Sequence, residues 1–210
     1  MMNRRDVLRA LSMSAGAAAV SACTVSVPGP QLRASYRSRK DGVHALPTVP
    51  VNKIPAEFRR QRVAYETKYK PGTIVVSTAD RHLWLVEDDG TAMRYGIGVG
   101  KQGFSWGGTA RVALKREWPT WTPPSRMIGR KPELAKWRGG MPGGVGNPLG
   151  ARAMYLYRGG RDTLYRIHGS PEWWSIGTRA SSGCIRLINQ DVIDLYDRVE
   201  VGARVVVKQG

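Results

Sequence analysis

The chain has 210 residues, 41% hydrophobic and 23% charged, which suits one ordinary domain with extensions and excludes a disordered chain. Its charge is lopsided, with 33 Lys+Arg against 16 Asp+Glu for a formal net +17, densest in segment 23–70. Such an excess favours polyanions of any kind, but neither a zinc-ligand spacing nor an RNP-type aromatic signature accompanies it, so no nucleic-acid partner is expected.

The first residues predict export. Asn3-Arg4-Arg5-Asp6-Val7-Leu8-Arg9 is a charged segment with a twin arginine, followed by a small, weakly apolar stretch from Leu11 to Val20. About ten residues fall well short of the ~20 that a spanning helix needs, so residues 1–22 read as a signal peptide and the mature protein as periplasmic. The signal ends in Val20-Ser21-Ala22-Cys23, which resembles the lipobox of bacterial lipoproteins. That resemblance implies lipidation of Cys23 and a membrane anchor; a plain peptidase site before Cys23 is the alternative reading. With Cys23 acylated or its linker flexible, the other cysteine, Cys184, is left as a lone thiol in an oxidising space.

Residues 23–70 read as a basic tether, rich in Pro, Ser, Arg and Val through about residue 53 with no apolar period. Residues 55–68 suit either a short helix or an extended segment draped over the domain. From Pro71 the pattern turns to strands, predicted at 73–77, 82–86, 92–99, 111–117, 152–157, 164–167, 185–187 and 204–208, with Asp88-Asp89-Gly90 as a tight turn. One helix is expected from Asn189, with Val192, Leu195, Tyr196 and Val199 at helical spacing, Asn189 as its cap and Gly202 as its stop. Many short strands with few helices predict a mainly β fold, a β-sandwich or partly closed barrel, over 71–208. Residues 118–150 interrupt it with a Trp-, Pro-, Met- and Gly-rich insert that reads as a lid, including a turn of helix at 132–137.

The chemistry concentrates in the last quarter of the chain. Cys184 follows Ser181-Ser182-Gly183, and His168 lies upstream in His168-Gly169-Ser170. A cysteine nucleophile reacts as its thiolate, and an imidazole is the usual means of making one near neutral pH. Gly183, lacking a Cβ, lets a substrate backbone approach, and its amide with that of Cys184 suits an oxyanion hole. Arg186, two positions past the cysteine in a strand, points to the same side, where it either grips substrate carboxylates or carbonyls or forms a structural ion pair. Three scattered histidines give no metal spacing, and neither metal nor cofactor is expected.

The pattern of His168-Gly169-Ser170, Ser181 through Leu187, and Asn189 through Tyr196 resembles the L,D-transpeptidase (YkuD-type) catalytic domain. Weaker echoes lie at 71–76, 96–101 and 147–150. The order of base before cysteine argues against papain-like and NlpC-type peptidases, and the short interval between them argues against sortases. The resemblance implies that Cys184 attacks a peptidoglycan stem peptide at its diamino-acid residue and forms a thioester. His168 would then act as base and acid, oriented by the Gly169 carbonyl. Ser181, Ser182 and Trp121 are carried as substrate-binding candidates. The acyl acceptor is a stem amine, an amine of an envelope protein or, in the carboxypeptidase alternative, water; a wall-binding scaffold with an inert cysteine is the non-enzymatic alternative. Thr109-Ala110 replaces a Thr-Pro pair frequent in the family, and Ser182 stands where several members carry histidine.

Overall fold

In the computed structural model, residues 30–100, 107–178 and 184–209 are described. The strands are β1 (Arg39–Asp41), β2 (His44–Leu46), β3 (Gln61–Ala64), β4 (Ile74–Ser77), β5 (His82–Val86), β6 (Thr91–Gly96), β7 (Gly98–Val99), β8 (Gly108–Glu117), β9 (Arg152–Arg158), β10 (Arg161–Ser170), β11 (Ile185–Ile188) and β12 (Arg204–Lys208). Helices α1 (Pro30–Ser35), α2 (Ser125–Arg130) and α3 (Asn189–Arg198) are joined by short 3-10 turns. β1 and β2 form a separate hairpin. The other ten strands form one mixed sheet in the order β3-β6-β5-β4-β12-β8-β9-β10-β11-β7.

That order forces the sheet to curl. β6 lies next to one edge and β7 forms the other edge, yet only Ile97 separates them in the chain. The two ends must therefore approach each other, which gives the expected partly closed barrel. Its core shows the same closure: Ile74, Leu83 and Tyr95 from one half pack with Met154, Ile167 and Leu187 from the other. Each such side chain contributes roughly 1.5–3 kcal/mol by leaving water. β4 is buried at all four positions, as its β-branched run requires for a strand enclosed on both faces.

Helix α3 lies where its apolar spacing predicts, with Val192, Leu195 and Val199 in the core. Its N-terminus differs from the expectation. Asn189 is the first helical residue and makes no capping bond; its Oδ1 accepts the Ala151 backbone N–H at 2.9 Å. A second use for that side chain, joining α3 to the start of β9, outweighs the cap.

The tether reading of 23–70 is corrected over residues 30–64. This stretch is a folded strap, with Tyr36, Leu46, Val49, Val51, Ile54 and Phe58 all buried. Their spacing follows neither the helical nor the strand period, because an irregular backbone brings Tyr36, Val49, Val51, Ile54 and Phe58 into one cluster and Leu46 into another, so periodicity did not reveal them. Phe58 sits so close to Gly96 and Gly177 that a Cβ at either would overlap it. After the 3-10 turn Ala56–Phe58, β3 pairs antiparallel with β6 and extends the sheet. Tyr36 donates to Asp191 of α3 at 2.7 Å, and Arg60 reaches Asp194 at 3.1 Å. On the other side, Arg152 and the Trp118 indole N–H both bond Asp41 of the hairpin, at 2.7 and 2.8 Å.

The 118–150 insert is ordered. It contains α2 and a 3-10 turn at Pro132–Trp137, the latter as expected. Trp121 and Met141 close its neck by exchanging two backbone hydrogen bonds. Asn147 pins the neck from inside: its Nδ2 donates to the carbonyls of Pro119, Met141 and Pro142, and its Oδ1 accepts from the Leu149 N–H.

Candidate active site

Strand alternation decides which side chains meet. β10 and β11 run parallel, with Ile167 opposite Ile185 and His168 opposite Arg186. Ile167, Ile185 and Leu187 all point into the core. Period-two geometry therefore turns His168 and Arg186 to the opposite face, and Cys184, one step ahead of β11, joins them there. All three line one groove of about 700 Å³.

His168 is nearly sealed from solvent and its Nδ1 lies 2.6 Å from the Gly169 carbonyl. A carbonyl only accepts, so Nδ1 carries the hydrogen and the Nε2 lone pair is left available as a base. The expected partner of the imidazole is thus a backbone oxygen. Close packing holds that oxygen in place. A Cβ on Gly169 would overlap Asn189 Oδ1 and crowd Val192, and one on Gly150, at φ +63°, would overlap Asn189 Oδ1 and the Gly169 backbone.

Burial pushes the His168 pKa down to about 4, against the Gly169 hydrogen bond, with Arg186 and Arg166 adding to the depression. Burial raises the Cys184 thiol, partly offset by a hydrogen bond to the Arg166 backbone and by the two guanidiniums. The resting pair at neutral pH is a thiol beside a neutral imidazole, so a thiolate forms only as the proton moves.

Arg186 Nη1 pairs with Glu172 Oε2 at 2.8 Å within the groove. The ion-pair alternative raised for Arg186 is thus present, at a position that also faces the groove. Trp121 lines the groove, together with Met127, Leu134, Trp137 and Met141 of the insert, which forms the facing wall. Trp118 packs instead on His44, Trp173 lies against the strap cluster, and Trp174 is exposed. Ser181, Ser182, Gly183 and Cys23 lie outside the described residues. Among described residues, no cluster of His, Cys, Asp or Glu could hold a metal. Glu172 and Trp137 were not singled out by sequence reasoning. Glu172 had a usable signal, as the acid nearest after His-Gly-Ser, whereas Trp137 had none beyond its helical turn.

A β domain that brings a thiol and an imidazole into one groove, under a tryptophan-rich insert, defines the class. Residues 71–207 match the family model for the L,D-transpeptidase catalytic domain (YkuD), and the chain belongs to that family. Among curated relatives, "Probable L,D-transpeptidase YbiS" of Escherichia coli (strain K12) is 35% identical over 144 residues, and "Probable L,D-transpeptidase ErfK/SrfK" of the same strain 39% over 142. Each match covers 63% of this chain but only 43% and 42% of those proteins, respectively. A solved structure from Brucella melitensis, described as a probable carnitine operon oxidoreductase, is 54% identical. It covers 74% of this chain and 96% of its own, with a TM-score of 0.52.

Proposed function

We propose that this protein is an L,D-transpeptidase that acts on peptidoglycan stem peptides through a thioester on Cys184. The observation that carries the reading is the convergence of Cys184 and His168 on one face of β10–β11, with Nδ1 of the imidazole held by Gly169. The curated relatives' names support the same activity. The oxidoreductase description of the Brucella protein stands against a groove whose thiol and imidazole are the groups acyl transfer uses.

In this mechanism the donor stem lies in the groove with its diamino-acid carbonyl over Cys184. Sγ bonds to that carbon as the thiol proton passes to His168 Nε2, and the carbonyl oxygen takes the negative charge opposite the amides of Gly183 and Cys184. The bond to terminal D-alanine breaks, and its amine leaves with the proton from His168. An acceptor amine then attacks the thioester, His168 takes its proton, and Sγ departs to be reprotonated. The insert wall limits water, which favours an amine over hydrolysis. The stem amine of a neighbouring strand gives a 3→3 cross-link; an envelope-protein amine gives a protein link. The N-terminal pattern supports a periplasmic enzyme anchored through lipidated Cys23.

The test is intact-mass measurement after exposure to a carbapenem, a β-lactam that mimics the donor. Wild type is expected to gain one adduct and Cys184→Ala none. An unmodified wild type, or cross-links formed by purified Cys184→Ala, overturns the proposal. Muropeptide analysis separates the outcomes of transfer, where dimers accumulate, from carboxypeptidase action, where trimmed tripeptides do.

A further inference from the structure

Two hollows meet around the loop that leads from α3 into β12. One, of about 650 Å³, is lined by Lys68, Lys70, Arg111, Arg198, Glu200 and Arg204. The other, of about 440 Å³, lies between the Gly159-Gly160 turn and Val201, over Val112, Ala113 and Tyr157. Arg111 lines both, and with Arg158 of the second hollow the face presents six cations against the single acid Glu200. The groove, by contrast, sets Arg130, Lys131 and Arg186 against Glu133 and Glu172. Arg60, Arg152, Arg166 and Arg186, packed into the fold, each have a carboxylate partner. On this face Arg198 is matched by Asp194 and Glu87, but Lys68, Lys70, Arg111 and Arg204 form no ion pair among the described residues. Two of these four stand directly opposite each other: Arg204 of β12 and Arg111 of β8 are register partners, so their side chains share a face. Like charges so placed destabilise a sheet, and an anionic partner removes the repulsion. Arg111 also fixes the loop, its Nη1 donating to the Gly202 carbonyl at 2.8 Å. Tyr69 sits among the cations, with Arg204 5.7 Å and Lys208 5.8 Å from its ring centroid. Loop 200–203 parts the hollows, and its Val201 is 61% exposed.

We propose that this face is a membrane-contact surface, on which the cations bind the headgroups of an anionic bilayer while Val201 and the apolar hollow beside it take up acyl-chain carbon. The mixture of groups selects the partner. A soluble polyanion needs charge alone and leaves an exposed aliphatic side chain unused. Cations set beside that side chain, with a tyrosine among them, suit the layered chemistry of a lipid–water interface. Each basic residue at an anionic surface strengthens binding roughly fivefold, so four uncompensated ones hold the domain reversibly. Position fits as well. The Gly159-Gly160 turn precedes β10 and His168 lies near its other end, about 26 Å of strand away, so contact here leaves the groove uncovered. The contact uses none of the Cys184 chemistry and adds a second attachment to the anchor read at Cys23.

The experiment uses the chain from residue 23 carrying Cys23→Ser, so that neither the export signal nor an acyl chain contributes. Co-sedimentation measures its partition onto vesicles of mixed phosphatidylglycerol and phosphatidylcholine and onto pure phosphatidylcholine vesicles; binding to immobilised polyphosphate is measured alongside. The unsubstituted face is expected to bind the mixed vesicles and not the neutral ones. Lys70→Gln, on an exposed turn, is expected to lose about fivefold, and the triple variant Lys70→Gln/Arg111→Gln/Arg204→Gln about a hundredfold. Arg116→Gln/Lys136→Gln/Arg138→Gln makes the same change of net charge at exposed positions elsewhere and is expected to lose no more than about threefold. Val201→Ser is expected to lose about fivefold on the mixed vesicles and nothing on polyphosphate. Thermal melting confirms that each variant is folded, and Arg204→Gln is expected to melt no lower than its parent because it removes the repulsion with Arg111. Equal losses for the two triple variants assign the attraction to diffuse charge and overturn the inference. Vesicle binding that Val201→Ser leaves untouched assigns the face to a soluble polyanion and does the same, as does absence of binding to the mixed vesicles.

Discussion

Burial acts in opposite directions on the two groups proposed to do the chemistry, raising the Cys184 thiol and lowering the His168 imidazole. An enzyme with a preformed thiolate–imidazolium pair alkylates rapidly and with a rate flat across neutral pH. Here the iodoacetamide rate at Cys184 is expected to be slow at pH 7, below that of a free cysteine, and to climb with pH without a neutral plateau. A plateau between pH 5 and 7 in a pH–rate series contradicts the neutral pair. A second effect reaches the fold itself. His168 titrates near 4 in the folded protein against an ordinary 6.5, so its contribution to stability is lost as pH falls from about 6.5 towards 4. Asp191, fully buried in α3, is raised to about 6 from an ordinary 3.8, with burial outweighing Arg60 and the Tyr36 hydroxyl, so its contribution is lost as pH rises from about 3.8 to 6. The two slopes offset each other in the wild type. In His168→Gln only His82, also lowered by burial, still opposes Asp191, so between about pH 3.8 and 6 the urea midpoint is expected to tilt downward with rising pH relative to wild type; an unchanged pH dependence contradicts it.

At the scale of elements, the insert depends on Asn147, whose amide reaches three carbonyls on both sides of the neck. Asn147→Ala leaves those carbonyls without that donor at a cost of roughly 1–3 kcal/mol, measurable by urea unfolding. It also loosens the wall facing Cys184, so the product is expected to shift from dimers towards hydrolysed tripeptides; an unchanged product ratio shows that the neck does not control water. The elements themselves were largely legible. The strands after Pro71 announced themselves by β-branched runs such as Ile74-Val75-Val76 and by the Asp88-Asp89-Gly90 turn, because half-buried and fully buried strands leave a short-range pattern. Short pairings did not. β7, whose two residues fall inside the strand expected over 92–99, was not seen to part from β6, and β3 has four residues with little burial; both pairings exist because a neighbouring edge was available, which is a tertiary fact. The site was legible where one residue type at one spacing carries the chemistry, as with Cys184 and His168. It was only half legible for Glu172: its place as the first acid after His-Gly-Ser was visible, but its pairing with Arg186 comes from the chain returning after β10 to a strand fourteen residues later in sequence.

The whole molecule is organised by the curl of the sheet, which places β10, β11 and β7 at the end of the strand order and brings that end round towards β6. The family match covers residues 71–207, and the strap before it adds an edge strand, a buried cluster with Ile176 and Ile188, and anchors to α3 and Trp118. The strap therefore touches the frame of the groove from behind at both its rim and the base of the insert. Reading that stretch as loose chain followed from its charge and proline content, which are real; its aromatic and aliphatic residues were too irregularly placed to outvote them.

Because folding begins by residue 30, the strap changes how far a moored enzyme can roam. Were Cys23 the point of attachment, a free chain up to residue 70 would have been a leash of roughly 160 Å at full stretch, whereas the seven links from 23 to 30 allow only about 25 Å. On that proposed attachment, residue 30 would stay within about 25 Å of the bilayer and the folded domain would work close to its surface.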